Sequence, residues 1–272
     1  SFVLEWCPQR YLSRKTSDLN RLLARSVLLS YPRHMTVCPL CASRRTRHFQ
    51  DVKQYAFHRC DECAFVFLDP MPTETVLESI YNNDSSITSE FYPKARSRFR
   101  RALGTAFHLY RYARGGNLLD VGCGGGFQVA AFRWFGIEAS GLDISADSIG
   151  YAKNNFTKSN FYCSNFEKFS INKKFDFIFS SEVIEHVVDL NGYMNFLNKC
   201  LSSKGYVYIT TPDIASIRVP ANIVDWDVFS PPRHVQFFCR DNIVALFEQH
   251  GFALEKQFRD PKAGLRVLFR KI

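Results

Sequence analysis

The hydrophobic pattern changes character partway along the chain. From Asn117 onward, short continuous apolar runs alternate with stretches of helical period. Asn117–Val121 reads as a strand, followed by a glycine cluster and a helix to about Phe135. Ile137–Asp143 is a second strand, and Ser145 caps a helix to about Asn155. Phe161 marks a short third strand. Phe175–Ser180 is apolar almost throughout, as a strand buried on both faces of a parallel sheet should be. A helix from about Leu190 to Leu201 leads through Lys204-Gly205 to strand Tyr206–Thr211. A helix over Arg240–His250 stops at Gly251, a typical position for a glycine just past a helix end. Phe252–Phe258 and Leu265–Arg270 close as a hairpin around Asp260-Pro261-Lys262-Ala263-Gly264. This alternation predicts a doubly wound α/β domain over residues 114–272, its parallel sheet finished by an antiparallel strand.

The first part of the chain is organised differently. Residues 1–35 form an N-terminal segment with a helix from Asp18 to about Ser30, placing Leu19, Leu22, Leu23 and Val27 on one face and ending before Pro32. Residues 36–70 hold paired cysteines. Residues 71–113 read as a helical lid or linker, broken near Asn82-Asn83-Asp84-Ser85-Ser86 and resuming around Lys94.

Composition adds three constraints. Apolar residues at 46% and charged residues at 22% are a globular balance, and no apolar run is long enough for a membrane span. The opening Ser1-Phe2-Val3-Leu4-Glu5-Trp6 lacks the layout of a secretory signal, and nine cysteines, most of them in core-like contexts, suit a reducing cytoplasm. The net charge of +9 is concentrated: residues 1–116 carry 18 Lys/Arg against 10 Asp/Glu. Such a field suits an anionic partner, nucleic acid included, although a solvated helix face explains it equally well.

The segment richest in chemistry is Asp120-Val121-Gly122-Cys123-Gly124-Gly125-Gly126-Phe127, where a buried strand turns through glycines directly into a helix. Glycines allow close approach of a ligand to backbone, and the helix start offers unpaired N–H groups. Asp120 lies inside the strand, where a carboxylate needs a partner such as an ammonium group. Asp143 ends the second strand, where an acid can accept both hydroxyls of a ribose. Phe127 stands where a dinucleotide fold would place its third glycine, which counts against NAD. A ribose and an amino-acid-like end together describe S-adenosylmethionine.

Cys38-Pro39-Leu40-Cys41 and Cys60-Asp61-Glu62-Cys63 are two C-x-x-C knuckles separated by 18 residues. Four thiolates at this spacing can close a tetrahedral Zn2+ site with no open position, hence a structural one.

These segments carry a resemblance. The glycine segment resembles motif I of the class I S-adenosylmethionine-dependent methyltransferases. Phe175-Asp176-Phe177-Ile178-Phe179-Ser180-Ser181-Glu182-Val183-Ile184-Glu185-His186-Val187 resembles the fourth-strand motif of their ubiquinone-type subgroup. Lys204-Gly205-Tyr206-Val207-Tyr208-Ile209-Thr210-Thr211-Pro212 is similar to the fifth-strand segment, with Ser203 where a proline is usual. The stretch Cys60–Pro72 resembles the zinc-ribbon head of bacterial methyltransferases linked to sugar and polysaccharide modification, with Ala64 where a glycine is usual. The resemblance implies a Rossmann-like seven-stranded sheet with a small N-terminal zinc ribbon. It places the cofactor on Asp120, Gly122, Cys123, Gly124, Gly126, Phe127, Asp143, Ile144 and Ser181, with Asn165 and Phe166 flanking the adenine; the family usually has Asp where Asn165 stands.

Candidates for acting on the acceptor sit after strand ends, where open α/β sheets bind ligands. Glu185 and His186 follow the fourth strand. His234 lies in the long aromatic and proline-rich insertion after the fifth. Either histidine could serve as a general base, and either could instead only tie down a loop. Tyr81 and Tyr92 could close over the cofactor. The function expected is methyl transfer to a small molecule or carbohydrate. An RNA methyltransferase using the basic N-terminal region is the alternative, although no Asn/Asp-Pro-Pro-Tyr/Phe motif follows strand four. A non-catalytic adapter is a third reading.

Overall fold

The computed structural model describes residues 36–73, 76, 88 and 90–272. The helical segment expected over 1–35 and Tyr81 lie outside the described residues. Val37–Ile272 form one compact unit.

Its frame is a seven-stranded sheet. In chain order the described elements are β1 (Thr46–Val52), β2 (Tyr55–Cys60), β3 (Val66–Leu68), α1 (Ala95–Ala113), β4 (Asn117–Val121), α2 (Phe127–Trp134), β5 (Glu138–Asp143), α3 (Ala146–Asn155) and β6 (Asn160–Cys163). They continue with β7 (Phe175–Ser181), a 3-10 turn Ile184–His186, α4 (Leu190–Cys200), β8 (Leu201–Pro212), a 3-10 turn Ile223–Asp225, β9 (Gln236–Phe237), α5 (Arg240–Gln249), β10 (Phe252–Gln257) and β11 (Gly264–Lys271). The order across the large sheet is β10-β11-β8-β7-β4-β5-β6. Pairs β8–β7, β7–β4, β4–β5 and β5–β6 are parallel, and β11 runs antiparallel to both neighbours. The closing hairpin therefore does not simply extend the edge: its second strand inserts next to β8 and leaves β10 outermost.

Alternation along β4 explains why helices cover both faces. Leu119 and Val121 point into one core with Tyr193, Met194 and Leu197 of α4 and Ile243, Leu246 and Phe247 of α5. Leu118 points into the other, with Ala102, Ala106 and Leu109 of α1, Phe132 of α2 and Ile149 of α3. Ser145 caps α3 as expected, accepting from the Ser148 amide at 3.2 Å. The fifth strand is longer than its apolar run: it begins at Leu201, paired with Phe175, and the ladder is interrupted before Phe177 meets Tyr206. Lys204, at φ 63°, sits inside that irregularity.

The cysteine-bearing segment is not a freestanding appendage. Strands β1, β2 and β3 form a small antiparallel sheet whose fourth strand is β9, supplied by the insertion after β8. Phe57, Val66 and Leu68 share a core with Trp226, Phe229, Val235 and Phe237. Cys38, Cys60, Phe65 and Phe67 join the core of the large sheet. Asn242, in the first turn of α5, ties the two together, its side chain donating to the Cys63 carbonyl and accepting from the Cys239 amide, both at 3.0 Å.

Candidate functional site

The sheet reverses its winding at β4 and β7, so the crevice beyond their carboxyl ends is where a doubly wound fold places a ligand. The glycine loop leaves β4 there. Gly122, Gly124 and Gly126 have φ of 74°, 50° and 78°, a region costly for residues with a Cβ. Contact adds to conformation: a Cβ on Gly122 would lie 2.4 Å from Cγ2 of Val183, and one on Gly126 2.8 Å from the Phe161 ring. Tyr92 lies over the same loop, its ring 2.7 Å from where a Gly125 Cβ would stand.

Three amides fix the loop to β5, and a fourth, from the turn after β5, holds the same acid, Asp143, as the third. Those of Gly122 and Cys123 donate to the Leu142 carbonyl at 2.8 and 3.1 Å. Those of Gly124 and Ser145 donate to Oδ2 and Oδ1 of Asp143 at 2.7 and 2.8 Å. Burial raises the pKa of Asp143, while these amides pull it down. Asp120 is buried in β4, and burial, reinforced by the charge of Asp143, holds its pKa well above the usual carboxylate range. Two acids thus flank one loop.

The other expected cofactor residues divide. Ile144 is exposed just beyond Asp143. The Cys123 thiol packs against Gly141, where a Cβ would lie 2.6 Å from its sulfur. Phe127 turns inward, edge-on to Tyr92 with centroids 5.3 Å apart, so what it offers the crevice is backbone at the start of α2. Asn165 follows β6 and accepts from the Lys168 amide at 2.9 Å, and Phe166 packs edge-on against Tyr193. Ser181 donates to Thr210, whose hydroxyl donates to Glu182.

Glu185, His186 and His234, on two separate segments, come together. The insertion folds back on the turn after β7: the Val235 amide donates to the Glu185 carbonyl at 3.0 Å, and Nε2 of buried Gln236 donates to the carbonyls of Ile184 and Val187, each at 2.7 Å. Nδ1 of His186 donates to the Arg233 carbonyl at 2.7 Å, and Nδ1 of His234 to that of Val228. The rings stand edge to face with centroids 4.6 Å apart. Thr211 donates to Oε2 of Glu185 at 3.0 Å; Oε1 is buried with no hydrogen-bond partner among the described residues. One donor atom from each of the three side chains lies within 4.8 Å of the others. Burial, then the neighbouring His234, lowers the pKa of His186 to about 4, and burial lowers that of His234. Burial, then repulsion from Glu182, raises that of Glu185 well above its ordinary value. Sequence reasoning missed Gln236 and Thr211, which position this cluster. A polar residue inside the apolar run Val235-Gln236-Phe237-Phe238 was the available signal.

The four paired cysteines also converge. Sγ of Cys38 lies 3.7 Å from that of Cys63, and Sγ of Cys41 3.6 Å from that of Cys60. All four lie within 4.8 Å of one another. Sulfurs about 2.3 Å from a shared tetrahedral ion are roughly 3.8 Å apart, so the set fits one. Ala42 and Ala64, each following the second cysteine of a knuckle, both adopt φ 58°, which explains why a glycine would suit position 64.

The family model described as a methyltransferase domain matches residues 92–257. The chain is 28% identical over 153 residues to a ubiquinone biosynthesis O-methyltransferase of Bartonella tribocorum, covering 49% of this chain and 62% of that one. It is 34% identical over 152 residues to the Pelagibacter ubique enzyme of the same name, covering 49% and 63%. It thus spans about three-fifths of these relatives' length. The fold resembles that of magnesium protoporphyrin IX methyltransferase from Synechocystis with bound SAH, at TM-score 0.58 and 12% identity, covering 74% of this chain and all of that one.

Proposed function

The chain belongs to the methyltransferase-domain family, and from that premise we propose that it transfers the methyl group of S-adenosylmethionine to an oxygen of a small hydroxylated acceptor. The observation that carries the cofactor reading is the amide-anchored Asp143 at the end of β5, beside a loop whose glycines cannot carry side chains. Each carboxylate oxygen of Asp143 accepts one amide and retains a second lone-pair direction for a ribose hydroxyl. Buried Asp120 calls for a cationic partner, which an amino-acid ammonium supplies. Exposed Ile144 offers apolar surface to a base. When bound, the cofactor provides a methyl group on a sulfonium, a leaving group that needs no acid.

The remaining work is to orient the acceptor and dispose of its proton. Glu185, His186 and His234 are the groups proposed for that side of the site, held by the insertion. Oxygen is favoured as the accepting atom because the ubiquinone biosynthesis relatives are O-methyltransferases. Neither the RNA nor the adapter alternative gains an observation from the site. Zn2+ on Cys38, Cys41, Cys60 and Cys63 is proposed as a structural ion, since four thiolates leave no open coordination position.

The test is calorimetric titration with S-adenosylhomocysteine, followed by methyl-transfer assays on catechol-like and sugar hydroxyls. A folded protein that binds no S-adenosylhomocysteine overturns the cofactor reading.

A further inference from the structure

We propose that the outward face of α1, together with the end of α2, docks the protein on an anionic phospholipid surface. Helix α1 contains five arginines and no acid. It buries Ala102, Ala106, Leu109 and Ala113 on one side. Residues three, four or seven apart share a helix face, so Arg96, Arg100, Phe107, Arg111 and, at the helix end, Arg114 form a second stripe, every one of them exposed. None of these arginines, nor Arg133 near the end of α2, forms an ion pair among the described residues. The stripe also carries apolar surface. Phe107 is 67% exposed, Tyr110 39% and Trp134, the last residue of α2, 74%. Phe135 joins the two helices, its ring centroid 6.3 Å from that of Phe107 and 6.0 Å from that of Tyr110. Single exposed apolar side chains are ordinary, but three gathered around one ring, in a field of arginines, make a patch.

Charge and apolarity together select the partner. Arginine binds phosphate through two parallel hydrogen bonds, and basic residues beside an anionic leaflet are drawn to it. Trp and Tyr rings settle at the level of the headgroups, with Phe among the upper acyl chains. A nucleic acid would satisfy the arginines, but it stacks its bases on rings set in a basic groove, whereas Phe107 and Trp134 stand proud of helix surfaces. A second copy of this chain is disfavoured, because a two-fold contact would set the arginine stripe against itself. The neighbouring acids do not cancel the field. Glu138, at the start of β5, pairs with Lys173 at 2.7 Å, and Asp176 accepts from the Asn117 amide and the Ser202 hydroxyl at 3.0 and 2.8 Å. Topology fixes the orientation. Helix α1 ends just before β4 begins and α2 just before β5 begins, so the ring cluster lies toward the amino edge of these strands. The crevice lies beyond the opposite edge, and docking on the rings leaves it open to water. Docking of this kind is independent of what the crevice binds.

The test is co-sedimentation of the full chain with vesicles of phosphatidylcholine, either alone or mixed with phosphatidylglycerol. Binding is expected to the mixed vesicles and not to the neutral ones, and added salt should weaken it. A basic residue at an anionic leaflet is worth roughly fivefold in affinity, so Arg111→Gln and Arg114→Gln together are expected to weaken binding about 25-fold. Phe107→Ala and Trp134→Ala should each cost about tenfold or more, and Trp134→Phe should keep most of the affinity. These positions are exposed, so an unchanged melting temperature verifies each fold; if a ring variant fails to fold, the arginine pair decides. Absence of binding to the mixed vesicles overturns the proposal, as does binding that every folded variant leaves unchanged, which would put the lipid contact elsewhere on the chain. If these substitutions weaken binding of a single-stranded RNA and leave vesicle binding intact, the face belongs to nucleic acid and the lipid proposal falls. A dimer in sedimentation velocity without lipid that dissociates in Trp134→Ala would give the face to a second copy, with the same result.

Discussion

The backbone amide of Gly124 donates to Oδ2 of Asp143 across 2.7 Å, so the acid proposed to hold the ribose also shapes the loop beneath it. Asp143→Ala is expected to remove both functions. Each lost hydrogen bond to a charged group is worth about 1.5–3 kcal/mol, or roughly 10–150-fold in affinity. Calorimetry with S-adenosylhomocysteine should show at least the lower figure, with circular dichroism unchanged. Unaltered affinity would remove Asp143 from the site.

Gly122→Ala is expected to destabilise for two separable reasons. A left-handed non-glycine residue costs about 1–2 kcal/mol, and the new methyl would meet Cγ2 of Val183, 2.4 Å away. Val183→Ala removes only the second, because the Val183 Cβ lies at 3.8 Å, an ordinary contact. In a double-mutant cycle on thermal stability, Val183→Ala should therefore recover part of the loss, and strict additivity would contradict the contact.

The legible parts of this fold are those fixed locally. Positive-φ glycines, the Ser145 cap and apolar strand cores each announce themselves within a few residues, so β4 through β8 and the Asp143 corner were readable. What escaped depends on distant partners. Strand β9 is two residues long and pairs with β3 across most of the chain, so nothing local marks it. The convergence of His186 with His234 follows from that pairing and from Gln236, whose significance appears only once its side chain is seen holding two carbonyls. Phe127 shows the converse: its ring fills the space between α2, Tyr92 and Tyr151, so the ligand contact its place in the motif suggests is left to its backbone.

Asp120→Asn is expected to stabilise the protein without cofactor while weakening S-adenosylhomocysteine. Burial raises the Asp120 pKa in the folded state above that of the unfolded chain. Between those two values the folded state binds more protons, so stability is fully present below the unfolded pKa near about 4 and declines as pH rises through the interval. The variant lacks that decline. Each tenfold change in proton affinity is worth about 1.4 kcal/mol, which moves Tm by roughly 3–6 °C in a domain this size. Melting curves should separate at pH 7 and converge toward pH 4. A variant less stable than wild type at pH 7 would show that the carboxylate has a partner in the folded protein.

Removing the proposed zinc should reach well beyond the cysteine segment. Read from the sequence alone, loss of the ion unfolds residues 36–70 locally and leaves the α/β domain intact. The small sheet, however, is completed by β9, and its core is shared with Trp226, Phe229 and Val235 of the insertion. The same insertion places His234 beside His186 and donates from Val235 to Glu185. Structural zinc in small modules is worth on the order of 10 kcal/mol, so its loss should free β1–β3 and with them β9. Hydrogen exchange after chelation is therefore expected to quicken in two stretches distant in sequence, 38–68 and 226–238. Strands β4 and β7, whose pairing does not involve the small sheet, should keep their protection. Exchange confined to 38–68 would mean that the insertion holds its place without the ribbon. If both stretches respond, chelation should abolish methyl transfer while Asp143 and the glycine loop still bind S-adenosylhomocysteine.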